Sequence, residues 1–500
     1  MQGGTILFRC DANVTMGTGH VMRCLALAQA WQDAGGNAIF AMAETTPAIE
    51  LRLQSDRLDV VRVLVSAGSP EDSAQTVDLA RREGATWVVV DGYQFDSGFQ
   101  VVLKDAGLRV LFVDDNGNAA PYSADIVLNQ NVHASEKLYR DRATHLRLLL
   151  GPRYVMLRRE FAFWRTHKRE TAPAARRVLV TMGGSDPDNV TEPILRVLLG
   201  QPELELTVVA GGSNPHFSRL DRLVEGANGP VRLFKDVLDM PALMVWADVA
   251  VAGAGTTSWE MCMMGLPAIL CVLAPNQERI ASELSRLGAA IEVGYAAGTP
   301  SDKVEAALRE LFQSETARRL MSQRGRDIVD GRGVERVVAF LWGDPAIRRT
   351  TESDCRNFWE WANDPEARAV SFTKESSPWE RYVDWFRSSL RDPRSILYTA
   401  INREGRAIGM VRYQLEGSRA ILSINLGAAF RGRGNGRKIL FLATEELFQR
   451  SDTSVIDAYV SVSNQRSIHL FEGGGFRNVG IETVYGQQAI HFVLNKSVLQ

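Results

Sequence analysis

The feature that most constrains this chain is the stretch ILFRCDANVTMGTGHVMRCLALAQAW, residues 6–31. Its apolar start predicts a strand that ends at Arg9, and its amphipathic end predicts a helix that begins at His20. The loop between them contains Gly17 and Gly19. A strand, a glycine-containing loop and a helix let a ligand approach unpaired backbone N–H groups, which favour anions. The stretch therefore predicts an anion-binding turn with an imidazole at its edge.

The imidazole of His20 has two interpretations. Histidine changes its charge near neutral pH, so His20 can take or give a proton in a reaction. The plain alternative is a glycine turn that contains an incidental polar histidine. The local pattern leaves both interpretations open.

The size and composition of the chain limit the classes of protein that it can belong to. Five hundred residues exceed one hydrophobic core, so we expect two to four domains. A formal net charge of −2 provides no overall field for nucleic acid, and no apolar run is long enough to span a membrane. The start lacks the segment order of a signal peptide. The five cysteines form no C-x-x-C pair, so we expect reduced thiols in the cytoplasm. The seven histidines show no metal-ligand spacing, so no metal site is expected.

Residues 5–160 alternate short β-branched runs with helical patterns. The expected strands are VVRVLV (60–65), TWVVVD (86–91), LRVLFVDD (108–115) and ADIVLN (124–129). Such alternation predicts a parallel sheet with helices on both faces and a ligand site beyond the carboxyl ends of its strands. The polar residues at these ends are Asp11, Asp91 with Tyr93, Asp114 with Asp115, and Asn129. Each is either a helix cap or turn former, or a binding residue.

Residues 176–342 repeat this alternation. RRVLVTMGGSD (176–186) predicts a strand that is followed by Gly183, Gly184 and Ser185. Further on, the pattern predicts strand 248–252, loop 253–257, helix 258–265, strand 268–273, loop 274–277 and helix 278–287. We therefore expect a second Rossmann-like domain.

The loop G-A-G-T-T at 253–257 suits a diphosphate, because it exposes backbone N–H groups and two hydroxyls directly before a helix. Glu260 lies in the first turns of that helix. Its carboxylate accepts hydrogen bonds from ribose hydroxyls or completes a helix cap. Neither Rossmann-like half contains G-x-G-x-x-G, which argues against a dinucleotide cofactor.

Several motifs together resemble a known family. They are R-C-D-A, G-x-G-H and R-C-L-x-L-A near the start, D-G-Y at 91–93, and GPRYVMLRREF at 151–161. From about Thr5 to about Trp342, the chain resembles the UDP-sugar hydrolases of the pseudaminic acid pathway and the related spore-coat polysaccharide proteins. The second half is also similar to the nucleotide-binding half of two-Rossmann-domain glycosyltransferases of the murein lipid-linked type.

This resemblance implies metal-independent removal of UDP from a 2,4-diacetamido-2,4,6-trideoxyhexose, with His20 as the base. Asp11 then orients His20 or binds the sugar. UDP would lie on loops 183–186 and 253–257. The expected substrate-binding residues are Gly19, Arg23, Tyr93, Gly184, Ser185, Gly255, Thr256, Thr257, Glu260, Asn276 and Gln277.

A polar joint, GDPAIRRTTESD at 343–354, precedes a region of different character. Helical patterns in CRNFWEWANDPEAR and SPWERYVDWFRSSL are followed by strands at ILYTAIN, AIGMVRYQL and AILSINLG. The run R-G-R-G-N-G, residues 431–436, then joins a strand to a long helix. Glycines in such a loop let a ligand come close to successive backbone N–H groups, and the arginines add positive charge.

This run resembles the acetyl-CoA loop of the GNAT acetyltransferases, and IDAYVSVSNQRSIHLFEGGGF resembles their second signature. The resemblance implies acetyl-CoA as co-substrate, bound by Leu426, Arg431, Gly432, Arg433, Gly434, Asn435, Gly436, Asn464 and Ser467. Where the family often carries a tyrosine that protonates the leaving thiolate, this chain has Phe471. Tyr459, His469 or a water then substitutes, or the thiolate leaves unassisted. Either acceptor-site or core roles are open for Trp359, Trp361, Asn363, Trp379 and Trp385.

The sequence therefore predicts an α/β fold with two Rossmann-like domains facing across a cleft, as in GT-B glycosyltransferases, followed by an α+β GNAT domain. The expected domain limits are 1–165, 166–345 and 346–500. The predicted function is UDP-sugar hydrolysis with inversion, plus acetyl-CoA-dependent N-acetylation of a UDP-4-amino-sugar, in nonulosonic acid biosynthesis of either ring configuration. One alternative is a UDP-sugar glycosyltransferase with an acetyl-CoA-binding accessory domain, and another is a non-catalytic nucleotide-sugar sensor. The expected partners are small molecules rather than nucleic acid or membrane.

Overall fold

In a computed structural model, the chain forms two compact units, one that extends to Val337 and one that begins at Val338. The structure describes residues 4–13, 16–33, 35–201, 203–295, 301–342, 345–402 and 406–496. Within these ranges, no helix combines the length and apolar character that a membrane crossing requires. The domain limits at 165 and 345 stay predictions, and residues 343–344 of the expected joint lie outside the described residues.

The first half of the first unit is a parallel sheet with helices on its faces. Its strands are β1 (Thr5–Cys10), β2 (Asn37–Met42), β3 (Asp59–Arg62), β4 (Ala85–Asp91), β5 (Val110–Val113), β6 (Ile126–Asn129) and β7 (Arg147–Leu150). Its helices are α1 (Gly19–Asp33), α2 (Pro47–Ser55), α3 (Pro70–Arg82) and α4 (Ser97–Asp105). All seven strands pair in parallel, in the order β3-β2-β1-β4-β5-β6-β7.

Three of the observed strands are shorter than the predicted ones. The strands predicted at 60–65, 108–115 and 124–129 are β3, β5 and β6 in the structure. β5 stops before Asp114, because the carboxylate of Asp114 accepts hydrogen bonds from the backbone N–H groups of Asn116 and Gly117. Such an Asx turn competes with continued strand pairing.

The second half of the first unit is a second parallel sheet. Its strands are β8 (Arg177–Thr181), β9 (Glu205–Ala210), β10 (Val231–Lys235), β11 (Val249–Gly253), β12 (Ala268–Val272) and β13 (Ile291–Tyr295), in the order β10-β9-β8-β11-β12-β13. Its helices are α5 (Thr191–Leu199), α6 (Phe217–Glu225), α7 (Met240–Trp246), α8 (Thr257–Met264), α9 (Glu278–Arg286), α10 (Ser301–Gln313) and α11 (Glu315–Ile328), followed by α12 (Gly333–Trp342), which contains the unit boundary. The predicted pair of Rossmann-like halves is confirmed.

Both sheets reverse their strand order at an equivalent place. The first reverses between β1 and β4, and the second between β8 and β11. In open α/β sheets, ligands bind outside the carboxyl ends of the strands at this switch point. Apolar residues of each central strand are buried on both sheet faces, among them Leu7, Val88, Leu179 and Val251. The chemistry is therefore expected in the loops that follow β1, β4, β8 and β11.

The second unit is a mixed sheet with helices, as predicted for an α+β domain. Its strands are β14 (Ala346–Arg349), β15 (Ser395–Ile401), β16 (Ala407–Glu416), β17 (Arg419–Leu426), β18 (Val455–Ser461), β19 (Arg477–Val484) and β20 (Gln487–Asn495), in the order β14-β15-β16-β17-β18-β20-β19. Its helices are α13 (Cys355–Ala362), α14 (Pro365–Ala369), α15 (Trp379–Arg391), α16 (Asn435–Arg450) and α17 (Gln465–Gly473). β17 and β18 pair in parallel over 419–421 and 455–457 only. Residues 422–426 and 458–461 therefore flank a gap, here named the β17–β18 fork.

Candidate functional site

His20 lies beside Asp91 at the switch point of the first sheet. β1 and β4 are neighbours with Cys10 opposite Asp91, so the first turn of α1 lies over the end of β4. The Nδ1 atom of His20 is 2.6 Å from Oδ1 of Asp91, and both residues are buried. Because an ionised carboxylate only accepts hydrogen bonds, Nδ1 carries the proton and donates it. Nε2 makes no hydrogen bond to any residue that the structure describes, so it can accept a proton.

Arg23 connects Asp91 to a second carboxylate, Asp115. Its Nε donates to Asp91 Oδ2 at 2.6 Å, and its Nη1 donates to Asp115 Oδ1 at 2.8 Å. Burial by itself raises the pKa of Asp91, but the charge of Arg23 and the hydrogen bonds from Arg23 and His20 outweigh burial and hold this pKa well below its usual range. The pKa of Asp115 is lowered against burial in the same way. Both carboxylates are therefore ionised at neutral pH.

Arg23 is predicted to bind substrate, and it lines the cavity described below. However, all three of its guanidinium nitrogens donate to Asp91 or Asp115. Its Nη2 also lies 3.1 Å from Nδ1 of His20, but both atoms are donors in this tautomer, so that contact is not a hydrogen bond. The observed role of Arg23 is to hold the two aspartates, and its contact with a substrate stays a prediction.

Tyr93 extends this network to the other half of the unit. Its hydroxyl donates to Asp115 Oδ2 at 3.0 Å and accepts from Nδ2 of Asn276 at 3.0 Å. Its ring meets the ring of His20 edge to face, with centroids 4.8 Å apart. Burial raises the pKa of Tyr93, so its hydroxyl stays protonated. A chain of hydrogen bonds thus leads from the first half to the loop before α9.

Asp11 does not lie where a partner of His20 has to lie, which corrects the prediction. Its Oδ1 accepts from the backbone N–H groups of Ala43 at 2.7 Å and Glu44 at 3.0 Å, and its Oδ2 accepts from Gln94 at 2.9 Å. The carboxylate therefore fixes the end of β2 to the end of β1. The partner of the imidazole is instead the aspartate that ends β4.

A cavity of about 320 Å³ opens between the two halves of the first unit. His20 and every predicted substrate-binding residue line it: Gly19, Arg23, Tyr93, Gly184, Ser185, Gly255, Thr256, Thr257, Glu260, Asn276 and Gln277. Asp11 does not line it. The structure thus brings the predicted residues together, and their contact with a substrate stays a prediction.

The glycine loops of the second half form one wall of this cavity. Gly184 packs directly against Thr18, since an added Cβ at Gly184 would lie 2.2 Å from the Thr18 hydroxyl oxygen. Only glycine permits this approach of the two loops. At Gly255, an added Cβ would be 3.6 Å from Gln277 Nε2, an ordinary contact. The backbone of Gly255 is therefore open toward the cavity, directly before the N-terminus of α8.

Glu260 is paired with Arg158 rather than with the N-terminus of its own helix. Arg158 Nη2 donates to Glu260 Oε1 at 2.8 Å, and Arg158 Nη1 lies 3.1 Å from Glu160. Burial raises the pKa of Glu260, and the charge of Arg158 opposes this effect. A ribose hydroxyl that binds Glu260 has to share the carboxylate with Arg158.

Sequence reasoning missed several polar residues of the cavity lining, among them Arg158 and Asn131. Arg158 belongs to the segment GPRYVMLRREF, but nothing in that segment indicates a pairing with Glu260. Asn131 donates from Nδ2 to Asp115 at 2.7 Å and follows β6, where only the polar strand end gives a signal. No cluster of three or more His, Cys, Asp or Glu side chains suited to a metal ion occurs in the described ranges.

The glycine loop of the second unit precedes α16. Gly432 and Gly434 have φ angles of +72° and +75°, a region that residues with a Cβ rarely adopt, and an added Cβ would meet nothing within 4 Å. The backbone is therefore accessible in the way that a bound pyrophosphate requires. Arg431 is engaged elsewhere, since its Nε donates to the Leu426 carbonyl at 3.0 Å and its Nη1 donates to Asp364 at 2.6 Å. Asn435 donates to the Phe430 carbonyl at 3.0 Å.

The second predicted signature of this unit forms α17 and its N-cap. The side chain of Asn464 accepts from the backbone N–H of Ser467 at 3.1 Å, so these two residues cap the helix. Phe471 is buried and stacks on Phe492 at 5.7 Å between ring centroids. Phe471, which occupies the position of the family's thiolate-protonating tyrosine, is thus part of the apolar core. Of the proposed substitutes, His469 is exposed and lies with Nδ1 2.8 Å from the carbonyl of Gln465.

The aromatic cluster near α13 and α15 has a core role. Trp359, Trp361, Trp379 and Trp385 pack against the buried core that includes Phe358. Asn363 accepts from the backbone N–H of Ser377 at 2.8 Å. An additional role in acceptor binding stays a prediction for these residues.

Two protein-family models match this chain, one in each unit. Residues 178–330 match the model described as Glycosyltransferase family 28 C-terminal domain, and residues 346–477 match the model described as Acetyltransferase (GNAT) domain. The chain therefore combines a nucleotide-sugar domain of the glycosyltransferase-28 type with a GNAT acetyltransferase domain.

Three curated proteins are distant relatives of this chain. Uncharacterized protein MJ1062 of Methanocaldococcus jannaschii is 22% identical over 93% of this chain and 95% of its own length, an alignment that includes both units. Spore coat polysaccharide biosynthesis protein SpsG of Bacillus subtilis is 27% identical over 46% of this chain and 68% of its own length. The UDP-2,4-diacetamido-2,4,6-trideoxy-beta-L-altropyranose hydrolase of Campylobacter jejuni is 25% identical over 58% of this chain and 99% of its own length.

Two solved structures are similar to parts of this chain. MurG of Acinetobacter baumannii is 17% identical with a TM-score of 0.49, over 68% of this chain and 99% of that one. The aminoglycoside acetyltransferase AAC(6')-Ib, in complex with ribostamycin and coenzyme A, is 21% identical with a TM-score of 0.29, over 31% of this chain and 94% of that one.

Proposed function

We propose that the first unit hydrolyses a UDP-linked 2,4-diacetamido-2,4,6-trideoxyhexose at its anomeric carbon. One observation carries the proposal: the His20 imidazole, held through Nδ1 by Asp91, lines the same cavity as the loop before α8. A proton acceptor from one half and a group of backbone donors from the other half, both lining one cavity, are what attack by water and departure of a diphosphate require. The name of the Campylobacter relative specifies this reaction.

In the proposed reaction, Nε2 of His20 takes a proton from a water molecule, and the oxygen of that water bonds to C1 of the sugar. The bond from C1 to the β-phosphate oxygen breaks, and its electron pair leaves with UDP. Attack from the face opposite UDP inverts C1. Asp91 stabilises the imidazolium that forms, since its carboxylate is ionised and bonded to Nδ1.

The second wall of the cavity would hold the leaving group. Backbone N–H groups of residues 255–257 lie at the start of α8, whose N-terminus stabilises the negative charge that develops on the β-phosphate. Because these donors act on the diphosphate, the proposal does not require a metal ion.

We propose that the second unit transfers an acetyl group to the 4-amino group of a UDP-linked amino sugar. Acetyl-CoA supplies the acetyl group when bound, and the open loop that includes Gly432 and Gly434 fits its pyrophosphate. The two reactions are then successive, since the acetylated product of the second unit is the substrate of the first. Both would take place on one chain, which keeps the intermediate near its next enzyme.

The hydrolysis is tested by incubating the purified protein with the UDP-diacetamido sugar and EDTA, without any acceptor. We expect equimolar UDP and free sugar, with the inverted anomer formed first in NMR spectra. His20→Ala removes the base and should lower UDP release by about 10²- to 10⁴-fold. His145→Ala, at an exposed histidine of the same half, is the matched control and should keep full activity. Unchanged UDP release by His20→Ala would contradict the assigned role.

The acetyl transfer is tested with UDP-4-amino-sugars and acetyl-CoA. Mass spectrometry should show one added acetyl group per sugar, and free CoA should appear in equal amount. NMR of the product identifies the acetylated nitrogen and the ring configuration. Absence of free CoA with every such sugar would leave this unit as an acetyl-CoA-binding accessory domain.

The family 28 match favours one second candidate, a UDP-sugar glycosyltransferase. In that case a sugar or lipid hydroxyl replaces water, and the protein releases little UDP without an acceptor. A non-catalytic sensor is distinguished by binding: it would bind UDP-sugar in calorimetry and release no UDP with or without an acceptor.

A further inference from the structure

Four ionisable side chains from neighbouring strands form a continuous series on one face of the second unit's sheet. Arg419 of β17 donates from Nε to Asp457 Oδ2 of β18 at 2.9 Å. Nε2 of His491, on β20, lies 2.8 Å from Asp457 Oδ1, and its Nδ1 lies 2.7 Å from Glu482 Oε1 of β19. We name Arg419, Asp457, His491 and Glu482 the charge ladder.

The ladder is satisfied only when His491 carries two protons. Both of its ring nitrogens face carboxylate oxygens, which accept hydrogen bonds and do not donate them. A neutral ring would direct one lone pair at an ionised oxygen. The ring of Tyr459 stacks on His491 with centroids 4.6 Å apart and an interplanar angle of 21°, a geometry that also favours a cationic ring. Glu416 adds a negative charge near Arg419 and Tyr459.

The ladder lies at the paired end of the β17–β18 fork. Arg419 pairs with Val455, and Ile421 pairs with Asp457, which are the first and last pairs before the two strands separate. The ion pair between Arg419 and Asp457 therefore joins β17 and β18 within the short stretch where their backbones pair. The other end of β17 leads to the glycine loop at 431–436.

The ladder faces away from α16. Ile456 and Ala458, the neighbours of Asp457 in β18, belong to the apolar core that includes Ile439 and Leu440 of α16. Since side chains alternate along a strand, Asp457 points to the opposite face. His491 is 9% exposed, whereas the side chain of Glu482 is 51% exposed, so the ring can exchange its proton with solvent through Glu482.

We propose that the charge ladder is a proton-dependent support of the acetyl-CoA site, with His491 as a positioning residue. When the ring is an imidazolium, it holds the Asp457 carboxylate that Arg419 of β17 also binds, so the four strands are joined at the paired end of the fork. When the ring loses its proton to solvent, one of its two carboxylate hydrogen bonds is lost, and the support that holds the spacing of β17 and β18 weakens. The inference rests on the proposed binding of acetyl-CoA by this unit.

The consequence is an affinity for CoA that decreases as pH rises. One hydrogen bond to a charged group contributes enough free energy to change an equilibrium by about tenfold. Because only part of this free energy affects the spacing of β17 and β18, we expect the affinity for CoA to decrease by about threefold to tenfold between about pH 6 and pH 9.

Glu482→Gln tests the role of the second proton. A glutamine amide can donate to Nδ1 of a neutral ring while Nε2–H donates to Asp457, so this variant no longer needs the imidazolium. Because the side chain at 482 is half exposed, the variant should fold normally. In calorimetric titrations with CoA, it should bind with similar affinity at pH 6 and lose less affinity than the wild type at pH 9. Glu380→Gln, the same change at an exposed glutamate of α15, is the control and should follow the wild-type pH dependence.

A spectroscopic readout on the full-length wild type is independent of any variant. ¹⁵N NMR of labelled histidines at pH 7 should show the His491 ring doubly protonated, with its signal assigned by its loss in His491→Gln. A neutral tautomer at pH 7, or equal pH dependence in the wild type and Glu482→Gln, would overturn the inference. If the wild type binds no CoA at any pH, the proposed function of this unit fails instead, and the NMR result still tests the ladder.

Discussion

Asp91→Asn is expected to remove most of the proposed UDP release by changing the tautomer of His20. In the wild type, Asp91 Oδ1 accepts the Nδ1 proton at 2.6 Å and leaves Nε2 able to take a proton. An asparagine amide can donate to Nδ1, which places the ring proton on Nε2 and removes the base. The variant also lacks the negative charge that stabilises the imidazolium.

The expected size of the loss follows from these two effects. A positioned general base contributes about 10²- to 10⁴-fold to a rate, so UDP release should fall by about that factor. Stability should fall as well, because Asp91 is fully buried and accepts two hydrogen bonds from Arg23. Breaking a buried ion pair costs about 3–5 kcal/mol, and the lower end applies here since Arg23 keeps both hydrogen bonds to Asp115.

Asp72→Asn is the matched control, because it separates activity from stability. Asp72 is also fully buried in the first half and accepts two hydrogen bonds from Arg9, each at 2.8 Å, but it lies away from the cavity lining. Both variants should shift the urea unfolding midpoint, and only Asp91→Asn should lose UDP release per folded molecule. Retention of more than about one tenth of the wild-type rate by folded Asp91→Asn would refute the tautomer argument.

Three further predictions concern close approach, backbone strain and pH. Gly184→Ala should slow UDP release at least about tenfold, because its Cβ would lie 2.2 Å from the Thr18 hydroxyl oxygen. In steady-state assays, a second substitution in the same chain, Thr18→Ala, should restore part of the rate, whereas Thr18→Ser should not. Gly434→Ala should destabilise the second unit by about 1–2 kcal/mol, since φ is +75° with open space around it, and should weaken CoA binding in calorimetry. The lowered pKa values of Asp91 and Asp115 contribute stability that is present above the ordinary aspartate pKa of about 3.9 and is lost as pH falls through their folded pKa values. The free energies of unfolding in urea of Asp115→Asn and of the wild type should therefore differ at pH 7 and converge in acid.

Local sequence patterns predict the elements around α8 to within one residue at every boundary. The reason is that turn-forming residues limit each element there: Gly265, in the left-handed conformation, ends α8, and Pro275 begins the turn before α9. In the first half, β2 and β7 are absent from the predicted strands. β7 is four residues long and only partly buried, so it carries a weak apolar pattern.

The partner of His20 was not predictable from local pattern, because it depends on strand order. His20 and Asp91 are 71 residues apart, and only the adjacency of β1 and β4 brings them to 2.6 Å. Asp11, nine residues before His20, lies nearer in sequence, yet β2 is the other neighbour of β1 and its end takes up the Asp11 carboxylate. Asp11 follows β1 and bonds to the end of β2, whereas Asp91 ends β4, the neighbour of β1 on its other side. The strand order therefore decides that Asp91, and not Asp11, meets the imidazole.

Two sheets with the same strand order contribute different chemistry, because different residues follow equivalent strands. After β1, the first half has an imidazole, whereas after β8, the equivalent strand, the second half has the glycine loop with Gly183 and Gly184. In the proposed reaction, one half supplies the base and the other half supplies the site for the leaving diphosphate. The proposed hydrolysis therefore requires the contacts that join the halves: Asn276 with Tyr93, Arg158 with Glu260, and Thr18 with Gly184. Each contact includes a residue of the cavity lining, so substrate binding and closure of the halves are expected to depend on each other.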